Sequence, residues 1–210
     1  ITVTGASSNS CPPPKSSCAE WRDSDSAIAS GYYWINPAGT DVFKVWCDFD
    51  NGAWAVIKSY QWRNRGSFRK KATLQDNARN EANPNWDDYS LSLARITALR
   101  QHCTEVQIRC ATDFASSSSD WIIGDIDMLF VSGSRISSGA YSPRGRVRGH
   151  DLAQYTFQIW HLVNKAEWHF DSDHAGLPGS VGSEDSFGYW FGVNTQHKCS
   201  SSDDAYIVSL

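Results

Sequence analysis

The sequence predicts an α+β domain, a mainly antiparallel sheet with few short helices and long loops, stapled by disulfides. Three observations carry that prediction. Apolar residues recur with the two-residue period of half-buried strands: Phe43, Val45, Cys47 and Phe49 share one parity while Lys44, Trp46 and Asp48 share the other. Turn chemistry punctuates such stretches, as at Ser30-Gly31 and Asn36-Pro37-Ala38-Gly39. Six cysteines run from Cys11 to Cys199 with no CxxC pair, a usage that suits disulfides of an oxidising compartment better than a zinc cluster.

Each element follows in order. Residues 1–17 are small, polar and proline-bearing, and Cys11-Pro12-Pro13-Pro14 favours extended backbone, so this part reads as a tail or linker. Residues 18–210 are expected to form one domain, with an N-terminal subdomain at 18–60 and the central and ligand-binding region at 61–210. Because Cys47 points inward and Cys18 lies just before the first strand region, a Cys18 to Cys47 bridge closes the subdomain. Residues 60–85 are polar and charged, with little periodicity. Leu91, Leu93, Ile96 and Leu99 predict a short helix ending near His102. Over 104–110, Val106, Ile108 and Cys110 share the inward parity and Glu105, Gln107 and Arg109 the outward one. The serines at 116–119 read as a loop, and 121–131 and 152–163 as further strands, the second alternating Tyr155, Phe157 and Ile159 against Thr156 and Gln158.

Strand geometry limits the cysteine pairing. At about 3.3 Å per residue, Cys103 and Cys110 lie roughly 20 Å apart, too far for a disulfide between them. Cys11 and Cys199 are then partners for Cys103 and Cys110 in either order, unless Cys11 joins two chains into a dimer.

Composition bounds the function. The 210 residues, 40% of them hydrophobic, supply enough material for one well-filled domain. No apolar run approaches membrane-spanning length, so a soluble protein without membrane insertion is expected, and the start at Ile1 points to a mature or trimmed secreted form. No Asn-x-Ser/Thr acceptor occurs. A net charge of -4 argues against nucleic acid as a partner, since phosphate binding gathers excess Lys and Arg on one surface. Two basic stretches, 62–71 and Arg144, Arg146 and Arg148, read as solvated loops, although a sulfated glycan or an acidic partner could use either.

The segment 18–57 carries a family resemblance. Cys18, Ser30-Gly31, Tyr33, Pro37, Gly39, Phe43, Val45, Cys47-Asp48, Gly52, Trp54 and Val56-Ile57 together resemble the opening of the fibrinogen-related domains of ficolins, tachylectins and fibrinogen. The resemblance implies a fibrinogen C-terminal-like fold. Fibrillar collagen C-propeptides open in a similar way, and the run from Leu91 to Cys110 looks closer to them.

The same resemblance directs attention to the C-terminal third. Asp171 and Asp173 are two carboxylates two residues apart before a loop of glycine, proline and serine, a place where hard oxygen donors suit calcium. By residue type alone the alternative is a loop-capping Asx turn. In fibrinogen-related domains an aromatic followed by Asp-x-Asp begins the calcium loop, and Phe170, Asp171 and Asp173 match that pattern. Gly188-Tyr189-Trp190-Phe191 resembles the element preceding the family's sugar pocket, but the cysteine that the family places shortly before it is replaced here by Ser183-Glu184-Asp185. A pocket for acetylated sugars is therefore not implied. Asn194 to Cys199 is instead similar to a stretch of intelectins, in which an asparagine and a histidine hold a calcium ion that binds a sugar diol. Asn194 and His197 match those ligands, with Asp203 or Asp204 as the acidic one. An exposed histidine beside a disulfide and a solvated acidic turn are the plainer readings.

Ten tryptophans are many, and aromatic faces suit sugars, but Trp34, Trp46 and Trp54 lie inside strand patterns and read as core. Tyr189 and Trp190, with Glu184, Asp185 and His197, are the candidates for contact with a saccharide. An enzyme is not expected: His169, Asp171, Asp173 and His174 could hold zinc and serines abound, but there is no HExxH, GxSxG or GxxxxGK[ST]. The expectation is a secreted, extracellular, calcium-dependent lectin that recognises glycans or glycoproteins on self or microbial surfaces in innate immunity. A homo-oligomer fits, because multivalency converts weak sugar binding into avidity. The competing expectation is a structural or oligomerisation module like a collagen C-propeptide, without sugar binding.

Overall fold

Strands β1 (Gly31–Ile35) and β2 (Phe43–Asp48) form the hairpin that the alternation in this region predicts. They belong to a computed structural model that describes residues 12–68, 73–111, 120–147, 150–151, 158–161, 169–171, 187–188 and 205–210. Gly31 pairs with Cys47 and Ile35 with Phe43. The connecting turn depends on Gly39, which sits at φ 76 and donates its N–H to the Asn36 carbonyl at 3.3 Å, a backbone region that a side chain would strain. Phe43, Val45, Cys47 and Phe49 are all buried, as their shared parity requires.

Helix α1 (Cys18–Ser24) packs on this inner row. Its start is fixed locally: the Ser17 hydroxyl accepts from the Glu20 N–H, while the Glu20 carboxylate accepts from the N–H and hydroxyl of Ser16. Cys18 is thereby turned into the core, where it bonds to Cys47 with a Cα separation of 5.6 Å. The predicted bridge is present. Trp21, Tyr33 and Phe49 pack ring to ring beside it, and the Arg22 guanidinium lies over Phe49 and donates to the Phe49 carbonyl.

The larger sheet extends from the hairpin. Its further strands are β3 (Trp54–Gln61), β4 (Asp88–Ser90), β5 (Glu105–Ala111), β6 (Asp120–Asp125), β8 (Arg144–Val147), β9 (His150–Asp151) and β13 (Ala205–Ser209). Their order is β1-β2-β3-β13-β5-β6-β8-β9, with β4 on β3, and every pairing between strands is antiparallel. The strand nearest the C-terminus therefore lies between β3 and β5. That insertion explains one departure from the sequence reading: Gln107 and Arg109 are buried rather than facing out, because β5 is flanked on both edges and covered on both faces. Arg109 meets Asp48, equally buried, at 3.6 Å.

The helices are short. Helix α3 (Leu93–Arg100) buries Ile96 and Leu99 and ends where expected. Helix α2 (Arg65–Phe68) falls in the polar connection and turns Phe68 inward to stack on Tyr60, with ring centroids 4.2 Å apart. Residues 121–131 were expected to be one strand. The structure instead ends β6 at Asp125 and forms α4 (Asp127–Phe130), because the Asp125 carboxylate accepts from the Asp127 N–H and starts a turn that buries Met128 and Leu129. Of the strand expected over 152–163, the described part is Gln158–His161.

A second sheet joins β7 (Gly133–Ser137), β10 (Gln158–His161), β11 (His169–Asp171) and β12 (Phe187–Gly188), in the order β12-β11-β10-β7. His161 ties it to the rest. Fully buried, it accepts the Thr73 N–H at Nε2 (2.9 Å), while Nδ1 lies 2.9 Å from the Val131 carbonyl. Since Nε2 faces a donor, the ring is neutral with its proton on Nδ1.

Trp34 is a third correction. It is 54% exposed rather than core, because it has the opposite parity to Tyr33 and Ile35 on the sheet's outermost strand. Trp46 is partly buried against the core, and Trp54 donates its indole N–H to the Asn51 carbonyl at 3.1 Å.

Candidate functional site

The second sheet places the start of the candidate calcium loop. Asp171 is the last residue of β11 and pairs with Gln158, and Phe170 pairs with Ile159 on one side and Phe187 on the other. Ile159 is fully buried, so the aromatic before Asp171 lies in register with a core position. Because β11 and β12 are antiparallel, the chain leaves β11 after Asp171 at the same end at which it enters β12 at Phe187. It leaves β12, after Gly188, at the opposite end, beside His169.

Asp173, Glu184, Asp185, Tyr189, Trp190, Asn194, His197, Asp203 and Asp204 lie outside the described residues, as do Cys11 and Cys199. Asp203 and Asp204 lead directly into β13, whose Ala205 pairs with Gln61 on one side and Ala111 on the other. Among the described residues no group of three or more His, Cys, Asp or Glu is arranged for a metal ion. Among them also, no helix is long and apolar enough to cross a membrane.

The described residues do form one groove that the sequence reading missed. It has a volume of about 300 Å³ and is lined by residues 17–19, 52–55, 99 and 102–105, and by Leu210. Cys18, Ala55, Leu99 and Leu210 make its buried apolar floor. His102 closes one side through an Nε2 contact of 3.0 Å with the Pro37 carbonyl, and Glu105 stands at the other, its carboxyl held below the usual range by hydrogen bonds from Arg144. No local pattern could have revealed it, since four segments distant in sequence assemble it.

Cys103 sits in the wall of this groove as a free thiol, where the sequence reading gives it a disulfide. Every other cysteine among the described residues is already bonded: Cys18 to Cys47, and Cys110 to a cysteine outside the described residues. Burial pushes the Cys103 thiol up to about 11, so it is protonated and weakly nucleophilic at neutral pH.

On the far side of the hairpin, Tyr32 and Trp34 expose aromatic surface, and the Lys44 ammonium lies 5.3 Å from the Tyr32 ring centroid. Of the basic stretches, Arg63 pairs with Asp87 at 2.8 Å and Arg144 with Glu105. Each of those two cations thus has a carboxylate partner.

No protein-family model matches the chain, and no curated protein matches it. Solved structures do. The chain is similar to the fibrinogen-like globe domain of human ANGPTL6, with 16% identity, coverage of 94% of this chain and 95% of the other, and a TM-score of 0.45. It is similar also to the fibrinogen-like globe domain of human ANGPTL2, with 16% identity, coverage of 94% and 99%, and a TM-score of 0.46.

Proposed function

We propose that the chain is an extracellular, fibrinogen-related binding module that recognises carbohydrate with the help of calcium. The observation that carries this reading is the Phe170-Asp171-x-Asp173 pattern at the end of a strand whose register is tied to a core position. The shared end of β11 and β12 supports it further, because the chain leaves the sheet after Asp171 at the end where it re-enters at Phe187. Asp171 and Asp173 would supply hard oxygen donors of the kind calcium takes, with backbone carbonyls and water completing six to eight oxygens. Calcium would hold that loop in one conformation and so order a surface for saccharide hydroxyls. The second candidate set, Asn194 and His197 with Asp203 or Asp204, would place the ion against the sugar itself.

Titration of the purified protein with calcium, followed by a glycan array with and without chelator, tests the proposal. The expected result is saturable calcium binding and glycan capture that is lost in chelator and regained on adding calcium. Asp171→Ala and His197→Ala separate the two arrangements: the one that abolishes capture identifies the ion that matters, and capture intact in both refutes these sites. Absence of both calcium affinity and glycan binding, in a chain that still oligomerises, refutes the reading in favour of a scaffolding module.

A further inference from the structure

We propose that the outer face of the β1–β2 hairpin is a saccharide-binding surface that works without calcium, stacking an acidic glycan on Trp34 and Tyr32 and pairing its anionic group with Lys44. This surface stands apart from the loops nominated above and goes beyond the calcium reading.

Clustering is the first observation. Tyr32, Trp34 and Val42 are the large hydrophobic side chains exposed among the described residues, at 47%, 54% and 46%. Tyr32 and Trp34 share one parity on β1 and lie directly opposite Trp46 and Lys44 of β2, whose parity Val42 shares. All of them belong to the face opposite the buried row Phe43, Val45 and Cys47. Apolar residues scattered singly over a surface need no explanation, whereas a cluster on one face marks a site of contact.

The face is also fixed in shape. Tyr32 donates its hydroxyl to the Pro84 carbonyl at 2.9 Å and meets Trp46 edge to face, with ring centroids 5.1 Å apart. Its ring thus keeps one orientation while remaining exposed. Trp34 follows two residues along the strand. Among the described residues its side chain has neither a ring contact nor a hydrogen bond, so the indole face and N–H are both open to a ligand. Asn83, the exposed residue before Pro84, brings an amide to the border of this face.

Such a surface suits a sugar ring, whose apolar C–H face stacks on an aromatic while its hydroxyls reach polar groups at the rim. Lys44 sets the charge of the ligand. It pairs with Trp34 across the strands, lies 5.3 Å from the Tyr32 ring centroid and, among the described residues, has no carboxylate partner. An uncompensated ammonium at an aromatic platform, on a chain of net charge -4, selects a saccharide bearing carboxylate or sulfate over a neutral one. Size decides against a protein as occupant. From Tyr32 to Asn36 the strand runs about 13 Å, and its neighbour lies about 5 Å away. Beyond Trp46 the face is closed, since Asp48 is buried. That area is far below the roughly 800 Å² each partner gives to a stable protein interface, and it accommodates a few sugar units.

Calorimetric titration of the full chain in EDTA tests the proposal, with a hyaluronan hexasaccharide carrying carboxylates, a heparin hexasaccharide carrying sulfates as well, and chitohexaose as the neutral probe. The expected result is saturable binding of an acidic probe that weakens as salt is raised, and no binding of chitohexaose. Trp34→Ala should weaken the binding about tenfold and Lys44→Gln about threefold to fivefold, while Trp34→Phe keeps most of it. Because Trp34 is exposed, its variants should retain the wild-type urea midpoint. Failure of both acidic probes to bind in EDTA, equal binding of chitohexaose, or wild-type affinity in both Trp34→Ala and Lys44→Gln overturns the proposal. So does a dimer in sedimentation that Trp34→Ala dissolves, which assigns the face to a second copy of the chain. Binding in EDTA that calcium does not enhance and Asp171→Ala does not alter supports this surface while counting against the calcium reading. Capture that requires calcium and is indifferent to Trp34→Ala does the reverse.

Discussion

Lowering the pH from about 7.5 to about 5 is expected to remove about 2 kcal/mol of stability through one side chain, His161. The ring is fully buried, its Nε2 accepts the Thr73 N–H, and its Nδ1–H donates to the Val131 carbonyl. A second proton could bind only at Nε2, where it would face a donor. Burial, reinforced by the nearby Lys58 ammonium, therefore lowers its pKa from 6.5 to about 4. The sign follows from which state takes up the proton. Above about pH 6.5 neither state is protonated at this position and stability is complete; between about 6.5 and 4 only the unfolded chain gains the proton, so stability falls as pH falls. With those two values the loss is about 2 kcal/mol at pH 5 and levels off at about 3 kcal/mol below pH 4. Urea unfolding of the wild type and His161→Gln at both pH values measures it, since the amide can keep an acceptor toward Thr73 and a donor toward Val131 but does not titrate. The wild type should lose about 2 kcal/mol more than the variant between the two conditions. Equal losses in both proteins would refute the neutral, buried histidine, because all other titrating groups cancel in the comparison.

Two further outcomes follow from the first sheet. Cys18→Ser should destabilise the chain by about 3.5 kcal/mol in urea unfolding, the loop-closure value for a sequence separation of 29. Asp48→Ala leaves the Arg109 guanidinium buried without its carboxylate and should cost about 3–5 kcal/mol by the same measurement, while adding Arg109→Met should restore most of the loss.

Short-range patterns were the legible part of this fold. Phe43 to Phe49 alternates because one face of β2 meets α1 and the core, and that face is a property of neighbouring residues. The Cys18 to Cys47 bridge was legible for the same reason, since both ends belong to one local motif. Helix α3 was visible in the spacing of Ile96 and Leu99. Where parity failed, distant chain was responsible: Gln107 and Arg109 look outward in sequence, yet β13, about a hundred residues later, pairs with β5 and the interior closes over both faces. Trp34 erred the other way, since an aromatic in a strand pattern reads as core, but β1 lies at the sheet's margin.

The candidate site divides along the same line. The sequence by itself determined which residues could bind an ion or a sugar, because donor type and local spacing suffice to nominate Asp171 and Asp173. It determined also that a disulfide between Cys18 and Cys47 closes the first subdomain. Only the tertiary structure decided that Cys103 faces a groove assembled from four distant segments and that His161 ties the second sheet to Thr73 and Val131 as a neutral ring. Composition and periodicity are properties of adjacent residues, whereas strand order, groove walls and buried hydrogen bonds arise between residues that the chain brings together only on folding.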